Sequence, residues 1–369
     1  MAKKRRSKIL VAMSGGVDSS VAAWQLLRQG DDVTGAFMVN YGGGADARTG
    51  ASAAGECWVP EYRDALRVAA YLGIPLLRLD FTREYRQLVL SYLYREYRAG
   101  RTPNPDVLCN RQIKFGAWLD TARRLGFAQL ATGHYAQILA PDRGHQFYRL
   151  GTARDKQKDQ TYFLHQLTQN QLQAALFPVG GYTKSEVRQL ARRAGLPTAE
   201  KEESMGICFV GEVPMKDFLG AKIPPHPGRV VTAAGQVIGQ HQGLPFYTIG
   251  QRHIGVNCGG AAGDRQRPLY VAAKRPRTNE LIVAEKDDPT LLSREFTVAG
   301  INWISGHRPA FPLECKVRLR HRQPWRKCRV LALGRRTKVI CARPEWGVTP
   351  GQFAVFYDDF SCLGGGAVK

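Results

Sequence analysis

A chain of 369 residues with 53 Lys and Arg against 31 Asp and Glu carries a formal charge of +22. That length exceeds one ordinary core, and that charge expects a polyanionic partner, most simply a nucleic acid. No apolar run reaches the roughly 18 residues that span a bilayer, and only ILVAM follows the basic start MAKKRRSK, too short for the core of a secretion signal. Eight cysteines with no CxxC and no zinc spacing exclude a disulfide scaffold and a zinc finger, and point to a reducing, cytoplasmic setting.

In chain order, ILVAM (9–13) reads as a buried strand and VDSSVAAWQLLRQG (17–30) as a helix closed by Gly30. DDVTGAFMV (31–39) is a second strand, YRDALRVAAYLG (62–73) a second helix and PLLRLD (75–80) a third strand. TREYRQLVLSYLYREYRAG (82–100) reads as a long helix with Leu88, Leu90, Tyr92 and Leu93 as apolar positions. This alternation predicts an α/β fold with a doubly wound, mainly parallel sheet, whose ligand sits at the carboxyl ends of the strands. Residues 41–56, YGGGADARTGASAAGE, are glycine-rich and unpatterned and are expected to form a flexible loop. After about residue 215 the runs become short and broken by Gly and Pro. From about 294, FTVAGINWI, ECKVRLRHR, KCRVLAL, TKVICAR and QFAVFYD alternate as strands of a small β-barrel. The expected domains are 1–214 (nucleotide-binding), 215–293 (small and central) and 294–369 (β-barrel).

The turn between the first strand and first helix is SGGVDSS, Ser14 to Ser20. Its glycines let the backbone approach an anion closely, and the helix start offers unpaired N–H groups and a positive dipole end. Ser14, Ser19 and Ser20 add hydroxyl donors. No Gly-Lys-Ser/Thr follows, so it is not a Walker loop, and it is not GxGxxG. An ordinary capped turn would also use these residue types. The whole string resembles the PP-loop of the ATP pyrophosphatase superfamily, which cleaves ATP to AMP and pyrophosphate while adenylating a substrate oxygen. That resemblance implies that residues 12 to 19 wrap the ATP phosphates and that Asp18 helps hold a magnesium ion.

Two cysteines sit in unusual surroundings. GRTPNPDVLCNRQIKF (100–115) has two prolines in three residues, which forbid helix, so a shaped loop ending in Cys109 is expected. Asn110, Arg111 and Lys114 follow it, and a cysteine near cations and a helix start gains thiolate character. Asp106, three residues earlier, suits an acid/base or a group that orients the nucleophile. The second cysteine, Cys208 in EESMGICFVG, reads on its own as a buried strand residue. As a pair, the two suit a persulfide carrier and a partner thiol that releases its sulfur by forming a disulfide.

With these motifs the chain resembles the bacterial tRNA-specific 2-thiouridylases. The matches run nearly end to end: AMSGGVDSS, FMVN, LGIPL, GRTPNPDVLCNRQIKF, ATGHYA, KDQTYFL, LFPVG, MGICFVG, DFLG, HQGLPFYTIGQR, VTPGQFAVFY and CLGGG. The resemblance implies that Ala12, Met13, Ser14, Gly15, Gly16, Val17, Asp18, Ser19, Met38 and Gly133 contact ATP. It implies that Asn104, Pro105 and Asp106 meet the target base, that Cys109 is the nucleophile and that Cys208 carries the persulfide. It places His134, Lys158, Asp159, Gln160, Arg320, His321 and Gln352 against tRNA. The implied reaction is ATP-dependent 2-thiolation of the wobble uridine of tRNAs for Lys, Glu and Gln. A cysteine desulfurase or a relay protein would supply the sulfur, which attacks as persulfide or as released hydrosulfide. The six Arg or Lys of RLRHRQPWRKCR (318–329) suit phosphate contacts, or simply a solvated strand face. This chain departs from the family after FMVN, where Tyr41 and the glycine-alanine stretch reach Cys57 late, and at His321, where tyrosine is common. Two other classes compete: a PP-loop enzyme acting on a small molecule, and an RNA-binding protein without chemistry.

Overall fold

The computed structural model describes residues 7–41, 58–202, 215–252, 254–255, 268–334 and 336–369. The expected loop 41–56 lies, past Tyr41, outside the described residues, as do Cys57, Cys208 and Cys258.

Strands β1 (Lys8–Ala12), β2 (Asp32–Val39), β3 (Leu76–Asp80), β4 (Gln129–Ala131) and β7 (Ala175–Leu176) form a parallel sheet in the order β3-β2-β1-β4-β7. The apolar run of β1 is buried on both faces, as a central parallel strand must be. Helix α1 (Val17–Arg28) follows β1, and α2 (Val59–Leu72), closed by Gly73 at φ 66°, precedes β3. Strand order reverses between β1 and β4. The crevice there, at the carboxyl ends, is where such sheets bind ligands.

The short strands β5 (Ala136–Leu139) and β6 (Arg149–Thr152) leave this sheet. They pair with each other and dock on the last strand of the chain, Ser361 opposite Gly151. The central domain is a four-stranded sheet of β8 (Gly228–Thr232), β9 (Val237–His241), β10 (Leu269–Arg275) and β11 (Glu280–Glu285). Strands β12 (Leu292–Trp303), β13 (Leu313–Arg318), β14 (Arg326–Leu333), β15 (Arg336–Trp346), β16 (Phe353–Tyr357) and β17 (Ser361–Val368) form an antiparallel barrel, closed by β12 on β17. The barrel sheet therefore includes a hairpin from the nucleotide-binding half of the chain. Sequence alternation alone had placed the whole barrel in 294–369.

One hydrophobic core runs through both large domains. Leu10 of β1, Tyr85, Leu93, Ile113 and Leu119 of the long helices, and Val355 and Tyr357 of β16 belong to it. One face of β16 thus packs into the nucleotide domain, while the barrel keeps its own core around Val298, Val317, Val330, Val339 and Phe356. Among the described residues, no helix is long and apolar enough to cross a membrane.

Candidate functional site

The turn after β1 is built to expose backbone. Gly15 has φ 72°, and a Cβ there would lie 2.2 Å from the Glu61 carbonyl oxygen of α2. Gly16 is the N-cap of α1 in extended geometry and offers no side chain to close the helix end. The serines brace the turn from inside. Ser19 Oγ donates to the Gly16 carbonyl (3.0 Å) and accepts from the Ser14 N–H (3.2 Å), and Ser20 Oγ donates to the same carbonyl (2.8 Å). Ser14 itself stays exposed, with its Oγ 3.2 Å from that of Ser19. Met13, Val17 and Met38 are buried, and Ala12 is half-buried, so these side chains anchor the turn in the sheet. Gly133 lies just past β4, on the other side of the switch point. A Cβ on it would come within 2.8 Å of the Asp18 carbonyl carbon and the Ser19 nitrogen. The two loops meet because that position is glycine.

Asp18 has partners that sequence reasoning missed. Lys184 Nζ donates to both carboxylate oxygens, at 2.7 and 2.8 Å, and the Tyr135 hydroxyl donates to Oδ1 at 2.8 Å. The ammonium also lies 5.9 Å from the Tyr135 ring centroid. Lys184 opens the helix Lys184–Arg193, behind a Thr183/Glu186 capping box. A cation in a first helical turn opposes the helix dipole. That local misfit is the one sequence signal that marked this lysine. It sets an ammonium, balanced here by the Asp18 carboxylate, beside the Ser-Gly-Gly turn.

Cys109 belongs to a helix and not to a loop. The two-proline argument stops at Asn104, because Pro105 is the first helical residue, where its missing N–H costs nothing. Asn104 caps that helix by accepting from the Val107 N–H at 3.4 Å. The helix runs from 105 to 124, with a π-helical stretch Cys109–Trp118 broken at Gly116 (φ −105°, ψ −105°). Cys109 starts this stretch, one turn in, and is 2 % exposed. Wide π turns recur at functional sites because they re-aim side chains. Asp106, one turn before Cys109, is half-buried.

The loop entering this helix is gripped by both other domains. Gln352 Nε2 donates to the carbonyls of Thr102 (3.0 Å) and Pro103 (3.3 Å), and the Thr102 N–H donates to the Pro350 carbonyl (3.0 Å). Lys274 Nζ of the central domain donates to the Gly100 carbonyl at 3.0 Å, and burial lowers its pKa to about 8. Gln352 is therefore committed to the loop that leads into the helix of Cys109. Gln352→Ala is expected to lower kcat roughly ten- to a hundredfold by loosening that loop, with the KM of a phosphate-bearing substrate at the Ser-Gly-Gly turn unchanged. A raised KM for tRNA at unchanged kcat would make Gln352 a tRNA contact only.

Residues 158–166 join the turn, the helix and the barrel. Gln160 Oε1 accepts from the Tyr135 N–H (2.9 Å), and Tyr135 holds Asp18. Asn110 and Arg111, beside Cys109, bond the Phe163 carbonyl (3.3 Å) and Gln166 Oε1 (2.7 Å). Asp159, 2 % exposed, accepts from Arg318 Nη1 at 2.6 Å and from Thr161 Oγ1 at 3.0 Å.

Several expected tRNA contacts thus have their side chains committed inside the protein. Asp159 is the clearest, and Arg318 is 8 % exposed beside it. Removing one partner of such a buried pair strands the other charge, so Asp159→Asn is expected to cost roughly 3–5 kcal/mol of stability. A denaturant midpoint unchanged from the parent would contradict this. Arg320 donates to the carbonyls of Ile249 (3.1 Å) and Gly347 (2.9 Å) and packs over Trp346. His134 is buried with Nδ1 2.7 Å from Thr132 Oγ1, its ring near Phe115 and Phe177. Burial, and secondarily the Lys114 charge, hold its imidazole well below the usual pKa. His321 is half-buried with its ring centroid 4.6 Å from that of Phe163, and burial lowers its pKa to about 4, so it is neutral near pH 7. Lys158 is half-buried. Cys208 lies outside the described residues, so no distance joins it to Cys109.

The Ser-Gly-Gly turn at the switch point of a parallel sheet, carried with a small sheet domain and a closed barrel, defines a PP-loop protein with two appended β domains. Three family models cover the chain: "tRNA methyl transferase HUP domain" over 7–212, "tRNA methyl transferase PRC-barrel domain" over 216–285 and "Aminomethyltransferase beta-barrel domain" over 293–368. A tRNA-specific 2-thiouridylase MnmA of Stenotrophomonas maltophilia is 46% identical over 365 residues, 98% of this chain and 93% of that protein. Its counterpart in Streptococcus thermophilus is 44% identical over 370 residues, 100% of this chain and 96% of the relative. The chain belongs to the tRNA-specific 2-thiouridylases, a family of tRNA sulfurtransferases. Among solved structures, a 4-thiouridine synthetase–RNA complex with bound ATP aligns at TM-score 0.36 and 19% identity, over 59% of this chain and 50% of that one.

Proposed function

We propose that this chain converts a tRNA uridine to 2-thiouridine by adenylating its C2 oxygen and replacing it with sulfur. One observation carries the reading: the Ser14–Ser19 turn, the Asp18–Lys184 pair and the helix of Cys109 are tied together through Tyr135 and residues 160–166. A phosphate-binding turn and a buried thiol are thereby held on one framework, as a reaction needing both requires.

The carbonyl oxygen at C2 of uracil is a poor leaving group. The backbone amides at the start of α1, the Ser14 hydroxyl and the Lys184 ammonium would hold the phosphates of ATP as a substrate. The C2 oxygen attacks the α-phosphorus, the bond to the β-phosphate oxygen breaks, and pyrophosphate leaves. Magnesium fits this site only as an ion that arrives on the phosphates. Asp18 is a single carboxylate already bonded to Lys184 and Tyr135, and Mg²⁺ is commonly held by one or two carboxylates plus substrate oxygens. Among the described residues, no group of three His, Cys, Asp or Glu is placed to hold a metal. When bound, the ion would neutralise phosphate charge.

Sulfur enters as a persulfide on Cys208, loaded by a cysteine desulfurase or relay protein. In one route its terminal sulfur attacks C2 and AMP leaves; Cys109 then attacks the inner sulfur, freeing the thiolated base. In the other, Cys109 attacks the inner sulfur first and releases hydrosulfide, which displaces AMP. Both routes form one Cys109–Cys208 disulfide, which a reductant must reset. Cys109 is covered in this conformation, so tRNA docking must expose it. The substrate is the wobble uridine of tRNAs for Lys, Glu and Gln, taken out of the anticodon stack. The excess positive charge supplies salt-sensitive affinity for the tRNA backbone.

The test is whether AMP and pyrophosphate appear only when tRNA is added. Production that depends on a small molecule instead would favour the other PP-loop reading, and none under any condition would leave an RNA-binding protein without chemistry.

A further inference from the structure

Three cysteines of the barrel lie in one cross-strand row. Cys315 of β13 faces Cys328 of β14, and Cys328 faces Cys341 of β15. All are free thiols. The Sγ atoms of Cys315 and Cys328 are 3.6 Å apart. Residues facing each other on antiparallel strands have Cα atoms about 4.5–5.5 Å apart, inside the span a disulfide bridges. A bond needs the two sulfurs to close by about 1.5 Å, within the reach of side-chain rotation.

Exposure is graded along the row. Cys315 is half-buried, Cys328 is 3 % exposed and Cys341 is fully buried. The hydrogen bond to Cys315, then burial, push the Cys328 thiol far up, and burial pushes that of Cys341 to about 11. Cys315 is therefore the member of the row that is partly open to solvent, and the Cys328 sulfur lies next to its own. This is the layout of a reacting thiol and a resolving thiol. Neither takes part in the chemistry assigned to Cys109 and Cys208.

We propose that Cys315 and Cys328 are an oxidation site, at which a peroxide is reduced and a cross-strand disulfide forms. The Cys315 thiolate attacks one oxygen of hydrogen peroxide. The O–O bond breaks, giving a sulfenic acid on Cys315 and a hydroxide that takes up the thiol proton as water. Cys328 then attacks the Cys315 sulfur. The S–O bond breaks, the S–S bond forms, and the leaving hydroxide takes the Cys328 proton as a second water. Two thiols lose two electrons and two protons, and one peroxide gains them. The bond joins β13 to β14 just below the turn that seats Arg318 on Asp159 and His321 on Phe163, so the oxidised chain carries a brace beneath the barrel's contact with residues 158–166.

The full-length protein is treated with hydrogen peroxide, quenched in acid, alkylated while denatured and digested without reduction for mass spectrometry. The expected product is a peptide pair joining Cys315 to Cys328, two hydrogens lighter than the free peptides, with Cys341 and Cys362 recovered as alkylated thiols. Cys315→Ser should abolish the link and leave Cys328 alkylated; Cys341→Ser should leave the link intact. Two results would overturn the proposal: Cys315 and Cys328 both recovered as thiols after a dose that fully oxidises glutathione, or Cys328 linked mainly to Cys341.

Discussion

Cys109→Ser is expected to reduce 2-thiouridine formation by on the order of 10³-fold or more, while tRNA binding stays near that of the parent. Serine keeps the size and the helix but lacks a nucleophile able to attack a persulfide sulfur. Cys109 is 2 % exposed within the shared core, so a hydroxyl there also carries a folding cost of about 1–2 kcal/mol. Cys109→Ala separates the two effects, since it removes the thiol without burying a new polar group. Both variants should retain tRNA-dependent pyrophosphate release for a first turnover, because adenylation precedes the sulfur step. If either variant made 2-thiouridine at the parent rate, Cys109 would be a core residue and the two-cysteine mechanism would fail.

Lys184→Met is the second large effect, and it acts on the other half-reaction. The ammonium is mostly buried against Asp18, with 14% of its side chain exposed, and lies beside the phosphate turn. Its loss is expected to lower tRNA-dependent AMP and pyrophosphate formation by roughly 10²–10³-fold, the range seen when one preorganised electrostatic contact is removed. Asp18 keeps Tyr135 as a donor, so stability should fall by only about 1–3 kcal/mol. Lys184→Arg restores the charge and should recover part of the rate. If Lys184 merely braced the fold, Lys184→Met would lower the melting temperature and leave ATP turnover per folded molecule unchanged.

What could be read from the sequence was local. A buried strand, a glycine turn and a helix start follow each other within thirteen residues, so the nucleotide turn was visible as a string. The helices expected at 17–30 and 62–73 are found at 17–28 and 59–72, so their existence was legible from period, while the second begins three residues earlier than expected. What was not legible depends on distant pairs. Lys184 meets Asp18 across 166 positions and Arg318 meets Asp159 across 159, and no local pattern announces either bond. Asp159 could therefore be read as a surface turn residue, although it anchors the barrel. The β5–β6 hairpin looked like part of the first domain because its partner β17 lies at the end of the chain. The helix start at Pro105 was misjudged for a different reason: proline bars the interior of a helix and suits its first position.

The most direct test of the account is nucleoside mass spectrometry of tRNA incubated with the full-length chain, ATP and a sulfide or persulfide source. The account predicts 2-thiouridine in tRNAs for Lys, Glu and Gln, one AMP released per base thiolated, and none without ATP. Unmodified uridine after ATP has been cleaved in the presence of tRNA and sulfur would contradict it.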